Sequence, residues 1–552
     1  MRHRVVGIDL GTTYSAVAAW DHDEDQAEIL LNREEGGQPT TPSVVAFDPA
    51  PGTVSVGWAA KRSLAVLPQH AVTEIKRELG EWFSERSLER YGAKDRFTTD
   101  DPVQVRFAGD WRRPQEISAL ILTRMKEVAE AELAEEIRDA VITVPAYFLE
   151  IQRKATEQAA RLAGLWPRRL VEEPTAAAIC YGVDRYEEER RAYLVYDLGG
   201  GTFDVSVIQF EEGEFRVIAT SGDHHLGGSD FDDAIVEWAI KELADQHGLQ
   251  VADDERIKPQ LKYHAEQAKF RLSAAQRTTL VLPELRPDAP PVLTLTRERF
   301  EDLIDVDVQR SLRKVEDAIR QAAAKGVGRD QLDAVLLVGG STKIPKVKRT
   351  LVEYFGRGED FIKLDLDPAA VVARGAAILA RTFGPSDGPF DPRRQPQGSG
   401  GEGEPLPIEP ITAHSLGTGL EDGTCHRLIH RGMAIPVSHT DRNCTNAVAT
   451  DTVVLGIYQG EGHYYRENTL IGRLVLDGLE WGKHYFHLTY SLDESGLLSV
   501  RAEDANSGRS WDATIDHPTL VEGPEAMLTL YERIQQLYRA GRQPPEGPRW
   551  SR

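Results

Sequence analysis

The feature that most constrains this chain is a repeat. "GIDLGTTYSAV" (residues 7–17) and "YDLGGGTFDVSV" (residues 196–207) share one construction. In each, an apolar strand ends in Asp-Leu-Gly, a short turn carries a hydroxyl, and a second strand follows. A duplicated hairpin points to two related subdomains facing each other across a cleft, the usual place for a ligand. Turns rich in Gly and Thr present successive backbone N–H groups and hydroxyls, which suit phosphate oxygens. Asp9 and Asp197 then bring two carboxylates toward the same phosphates, an arrangement that calls for a divalent metal between them. Mg²⁺ keeps several waters, so the two aspartates are expected to act partly through water. Gly199, Gly200 and Gly201 allow close backbone approach, while Thr12, Thr13 and Thr202 supply hydroxyls. The sequence has no GxxxxGK[ST], so a P-loop is excluded as the phosphate device. A third pair, Gly339 and Gly340 before Ser341 in "AVLLVGGSTKIP", sits where a strand turns toward a helix and offers further free N–H groups.

At 552 residues the chain is too long for a single core. Residues 1–383 alternate short β-branched strands, such as "AVITVP" and "AVLLVGG", with helical stripes such as Ile117, Leu120, Ile121, Met125 and Val128, which predicts an α/β domain. Residues 384–407, "GPSDGPFDPRRQPQGSGGEGEPLP", read as a flexible, partly extended linker. Residues 408–522 turn all-β, with Phe486, Leu488, Tyr490 and Leu492 alternating against polar neighbours. A short helix over 523–541 follows, opened by Pro524 and striped by Met527, Leu530, Ile534 and Leu537, and 542–552 read as a disordered tail.

The net charge of −23 argues against broad binding to nucleic acid or anionic membranes. Cys180, Cys425 and Cys444 form neither a disulfide framework nor a zinc site. No apolar run approaches the roughly 18 residues of a membrane span. Met1-Arg-His-Arg leads directly into a strand, so no signal peptide is expected and the cytoplasm is the expected compartment.

Six strings in this order, "GIDLGTTYSAVA", "VITVPAYFLEIQRKATEQAARLAGL", "EEPTAAAICYG", "YDLGGGTFDVSVI", "GDHHLGGSDFD" and "LLVGGSTKIPKVKRTLVEYFG", strongly resemble the seventy-kilodalton heat-shock chaperones of the DnaK type. The resemblance is dense over 1–383 and traceable over about 408–515. It implies an actin-like ATPase domain of four subdomains closing on ATP or ADP with Mg²⁺, and K⁺ beside it. A β-sandwich that binds unfolded or extended polypeptide would follow. It implies Lys76 as the catalytic lysine, Glu173, Asp204 and Thr202 around the attacking water and metal, and Asp9 and Asp197 near the metal. Gly11, Tyr14, Gly227 and Gly228 join the phosphate residues. Glu266, Lys269, Phe270, Ser273, Gly340, Ser341 and Asp367 fall on the adenosine side. Phe270 stands where the family usually has an arginine, and its ring can still stack on a base. Pro145, Tyr147, Phe148 and Arg153 match a segment that relays the nucleotide state, and Arg169 a position tied to a J-domain co-chaperone. A nucleotide exchange factor is the other partner the family suggests.

Three departures limit the likeness. The linker reads "EPLPIEPITAHSLG", with only Leu406 and Ile408 apolar and with Pro405, Pro407 and Pro410 unable to donate to an added strand, so coupling by strand addition is expected to be weakened. The peptide groove aligns onto Thr418, Glu421, Asn443, Asn446 and Val453, four of them polar, which predicts altered specificity. The long helical lid is reduced to one helix, so a bound peptide is expected to leave faster. The leading expectation is an ATP-driven chaperone. The second is a nucleotide-dependent protein whose β domain binds a dedicated partner. A small-molecule kinase or filament former ranks last.

Overall fold

The computed structural model describes residues 4–540 apart from 65, 66, 183–189, 212, 213, 253, 255, 256, 365, 366, 369, 395–397, 401–406, 449, 450, 480, 481, 514–516 and 522, with backbone alone for 398–400, 443–448, 482, 483 and 513. The expected tail therefore lies outside the described residues. So do Pro405 and Leu406, and the side chains of Asn443 and Asn446.

Two sheets carry the N-terminal part, and the repeat lies at the centre of each. In the first, the order is Trp166–Glu172, Asp139–Val144, Val5–Asp9, Tyr14–Asp21 and Gln26–Ile29. The first hairpin pairs Asp9 with Ala16, and Asp139–Val144 runs parallel beside it. The second sheet repeats the plan: Arg191–Leu198 pairs antiparallel with Phe203–Glu211, and Ala334–Val338 lies parallel alongside. That register sets Asp197 opposite Asp204 on one side and Val338 on the other. The strands are nearly continuous apolar runs because both faces are covered.

The lobes lean on two helices, Glu173–Gly182 and Val371–Ala380. They cross so closely that a Cβ on Gly375 would sit 1.7 Å from the carbonyl oxygen of Ala176. Only a residue without a side chain fits there. The expected stripe Ile117, Leu120, Ile121, Met125 and Val128 is buried on helix Pro114–Leu133 in the first-lobe core.

The C-terminal part is a β-sandwich. One sheet orders Cys425–Ile429, Leu416–Gly419, Val453–Gln459 and Thr469–Leu476; the other orders Val437–Val448, Gly482–Leu492, Leu498–Asp504 and Ser510–Ala513. Phe486, Leu488, Tyr490 and Leu492 all face its core, as their alternation requires.

Three connections differ from expectation. Within 384–407, part of the segment is packed rather than free: Phe383–Ser386 pairs with Gly398–Gly400. The Ser386 backbone N–H and hydroxyl both donate to the Asp139 carboxylate, and Phe390 rests 5.2 Å from the Trp166 ring. A buried carboxylate demands donors, and this segment supplies them.

The linker also joins the second sheet after all. Ile408–Glu409 adds parallel to Glu214–Asp223, and the Phe215 N–H donates to the Pro407 carbonyl at 2.9 Å. Proline lacks a donor, not an acceptor, so a strand that only offers carbonyls at its prolines still pairs. Pro410 acts the same way toward the Ile435 N–H.

The closing helix, Pro524–Arg539, buries Met527, Ile534 and Tyr538 in the first-lobe core and not on the sandwich. Tyr531 meets Phe390 there at 5.5 Å.

Candidate functional site

The two hairpin turns meet at the base of the cleft between the lobes. A Cβ on Gly200 would lie 1.9 Å from Thr13 Oγ1, and one on Gly201 would lie 2.4 Å from the Thr12 methyl, so the glycines are what let the turns touch. The cleft above them measures about 890 Å³, counting space open to solvent.

Its walls bring together Asp9, Gly11, Thr12, Thr13, Tyr14, Lys76, Glu173, Asp197, Gly199, Gly200 and Thr202. Glu266, Lys269, Phe270, Ser273, Gly339, Gly340 and Ser341 line the same cleft. Gly201, Gly227 and Gly228 stand just behind. A Cβ on Gly227 would meet the Gly201 nitrogen at 2.6 Å, and the Gly228 N–H donates to the Gly199 carbonyl. Ser341 Oγ donates to the same carbonyl at 2.8 Å, tying the third glycine turn to the second hairpin.

Lys76, carried on the short turn Ile75–Glu78, is buried and ion-paired with Glu173, which begins the helix after Trp166–Glu172. Four carboxylates face this one ammonium. Asp9 is pushed up to about 7 by burial and then by the charge of Glu173, although Lys76 and the Thr143 hydroxyl pull it down. Asp204 is pushed up to about 7 by burial and again by Glu173. Asp197 is raised well above the usual carboxylate range by burial, then by Glu173, Asp204 and Asp9. This is the signature of a site short of positive charge. A divalent cation held by Asp9 and Asp197 fits that donor set, since beyond Lys76 the guanidinium of Arg153 eases only Asp204.

Two further predicted residues lie off the cleft wall. Asp204 is fully buried behind the second hairpin, its Oδ1 accepting the Tyr147 N–H at 3.0 Å. Asp367 is half-exposed and ion-paired with Lys343 at 3.1 Å.

Phe270 gives the cleft an aromatic surface. Phe270 is 46% exposed, so one face of its ring is free to stack. Lys269 is not free: Nζ is bound to Asp232 Oδ2 and the Gly228 carbonyl, both at 2.7 Å. It holds the wall in place rather than offering a charge.

Sequence reasoning missed the residues that close the cleft. Lys61 reaches from the first lobe to Glu266 of the second at 2.7 Å, and it also donates to the Tyr14 hydroxyl. Arg77 donates to the Gly201 carbonyl and holds Asp230 with two nitrogens. Nothing local marks either residue, because each partner is contributed by the opposite lobe. The apolar lining from Val338, Ile344, Pro368 and Val372 was equally silent.

The residues aligned with a peptide groove do not form one open apolar wall. Thr418 is buried and its hydroxyl donates to the Gly456 carbonyl, pinning two strands together. Glu421 is exposed and Val453 is partly buried at the edge of the sandwich core.

Pro145, Tyr147, Phe148 and Arg153 lie where the sandwich meets the first lobe. The Arg153 guanidinium bonds Glu172 at 2.9 Å and the Ser495 carbonyl at 3.3 Å, and Arg169 pairs with Glu494. Among the described residues no helix is long and apolar enough to cross a membrane.

A family profile described as Hsp70 protein matches residues 5–533, nearly the whole chain, and the chain belongs to that family. Membership carries with it an ATPase of actin-like fold joined to a β-sandwich, ATP or ADP with Mg²⁺ as ligands, and an ATP-dependent, chaperone-like role toward polypeptides in general.

Proposed function

Taking the chain as an Hsp70-family member, we propose that it hydrolyses Mg-ATP in the cleft between its lobes and uses that cycle to control how its β-sandwich holds an extended polypeptide. The observation that supports this most is the convergence of Asp9, Glu173, Asp197 and Asp204 on the single ammonium of Lys76, where the two copies of the hairpin touch. Turn N–H groups and the hydroxyls of Thr12, Thr13 and Thr202 orient the phosphates. Lys76 stabilises the charge that builds on the transferred group, and its bond to Glu173 fixes where that charge sits. Glu173 and Asp204 order the attacking water. Asp9 and Asp197 would hold Mg²⁺, which would supply the positive charge that the phosphates and the buried carboxylates call for.

The sandwich is engaged with the ATPase lobes through the added strand Ile408–Glu409 and through Glu150, whose Oε1 accepts the Leu498 N–H at 2.8 Å. That engagement is the physical route by which a change at the cleft reaches the polypeptide.

The deciding experiment follows release of a labelled unfolded peptide from the purified protein with and without Mg-ATP. Release that is many-fold faster with ATP is expected. No peptide binding in either state, beside intact ATP binding, overturns the client reading and directs the search to a dedicated protein partner.

A further inference from the structure

One residue, Tyr147, lies between Asp204 and the sandwich. The Tyr147 N–H donates to Asp204 Oδ1 at 3.0 Å, and its carbonyl accepts from His414 Nε2 at 3.2 Å. His414 belongs to the sandwich side, six residues past Ile408. The Tyr147 ring is also held from two sides: His414 meets it edge-on at 4.2 Å and His224 at 5.4 Å. His224 leans in turn on Phe148 at 6.4 Å.

A carbonyl can only accept, so His414 must carry its proton on Nε2. The surroundings then decide whether a second proton is tolerated. Arg153 faces the pair from helix Glu150–Leu162, and Lys314 and Asp317 from helix Asp305–Ala324. Arg431 approaches from the turn after Cys425–Ile429, with its guanidinium 5.8 Å from the Tyr147 ring centre, and Lys314 stands at 5.9 Å. Asp223 and His225 flank His224, and Asp204 lies beyond Tyr147. Glu461 is occupied by the Ser415 N–H and hydroxyl, and Asp317 by Ser221 and Arg320. Among the described residues, no carboxylate bonds either imidazole.

We propose that His414 is a proton-sensitive positioning residue. As a neutral ring it fixes Tyr147, and through it Asp204, while the sandwich is docked; as a cation it drives the sandwich off, with His224 acting in the same sense. The inference rests on the ATPase reading only for what Asp204 does, not for the docking itself. Burial holds His414 down to about 3 and His224 to about 4. Once undocked and solvated, each ring returns toward its ordinary value near 6.5. The docked state therefore keeps its full stability above that value and loses it as pH falls below it, by about tenfold per ring between pH 7.5 and 5.5. Glu150 and Asp493, at the same interface, are raised by burial and work in the opposite direction. The pH curve of the unaltered chain is thus a composite, and the ratio between a variant and its parent isolates His414.

The test is energy transfer between dyes at Glu237→Cys and Glu503→Cys on the full chain, with Cys180, Cys425 and Cys444 replaced by Ser. His414→Gln keeps a donor for the Tyr147 carbonyl and cannot take a second proton. It is expected to dock like its parent at pH 7.5, with the parent-to-variant ratio of docking constants falling about tenfold at pH 5.5. His414→Ala, which has no donor, is expected to undock at both. Parallel curves for parent and Gln variant overturn the proposal. Should the Gln variant fail to fold, the imidazole shifts of His414 in the parent decide: a ring that stays neutral while docked at pH 5.5 supports the switch, and one titrating near 6.5 while docked refutes it. Neither readout needs turnover, so a chain inactive toward ATP still reports on the switch.

Discussion

Lys61 and Glu266 fasten the mouth of the cleft from opposite lobes, Nζ to Oε2 at 2.7 Å, with both side chains withdrawn from solvent. The pair ties the two lobes together beside the cleft that Glu266 lines. Lys61→Met leaves the buried Glu266 carboxylate with the Tyr14 hydroxyl but no cation, a cost of up to about 3–5 kcal/mol that opening the cleft relieves by hydration. Stopped-flow displacement of a fluorescent ATP analogue is expected to show release about ten to a hundred times faster. An unchanged rate shows that the lobes are held by other contacts.

Lys76→Ala separates binding from chemistry. Removing a preorganised cation from the developing charge slows hydrolysis by about 10²–10³-fold. The turn N–H groups and hydroxyls remain, so ATP affinity is expected to change little. Single-turnover hydrolysis beside equilibrium binding reads both. Equal loss in the two measurements assigns Lys76 to holding ATP and removes it from the chemical step.

The free face of Phe270 predicts a base-specific effect. Base–aromatic stacking contributes about 1–3 kcal/mol, so Phe270→Ala weakens ATP by roughly tenfold and leaves inorganic triphosphate unaffected. Calorimetry with the two ligands makes the comparison. Equal weakening of both places the ring's role in the fold of helix Ile257–Ala274 instead.

Glu150 gives docking a pH slope opposite in sign to that of the histidines. Burial raises its carboxyl to about 8 when the sandwich is in place, and solvation returns it to about 4.5 when the sandwich leaves. The raised carboxyl means that docking takes up a proton, so the docked state is favoured below about 4.5 and weakens as pH rises toward 8, about tenfold per unit. Glu150→Gln, which preserves the acceptor for the Leu498 N–H, removes that slope. The same energy-transfer pair measures it, and an unchanged slope shows that another group takes up the proton.

Much of the site was legible because its chemistry is local. Asp-Leu-Gly followed by a turn with a hydroxyl says strand, phosphate turn and strand wherever it occurs, and two copies place a cleft between them. Phe486 to Leu492 disclosed their strand by alternation, and Met527 and Ile534 disclosed a buried helical face. What stayed hidden depends on partners far along the chain. The stripe on Pro524–Arg539 does not say which surface it faces, and the first lobe won that helix. The prolines around Ile408 read as a barrier to pairing, because a sequence shows missing donors more plainly than surviving carbonyls. Phe390 lay in a Gly/Pro-rich run and read as linker until Trp166 and Tyr531 closed around it. Lys61 and Arg77 look like ordinary surface cations, each paired to a residue of the other lobe.

The landing place of the closing helix changes what undocking means. The sandwich is moored at both ends of its own sequence: at Ile408 by a strand on the second sheet, and beyond Val521 by a helix sunk into the first. Gln158 adds a further tie at that second end through the Val521 N–H and carbonyl. Releasing one mooring leaves the sandwich confined near its dock, where short tethers produce effective concentrations in the millimolar range. Re-engagement after a single slip then outruns diffusion away, and lasting separation requires both moorings to let go together. The chain thereby resists brief fluctuations and yields only to a signal that reaches both lobes at once.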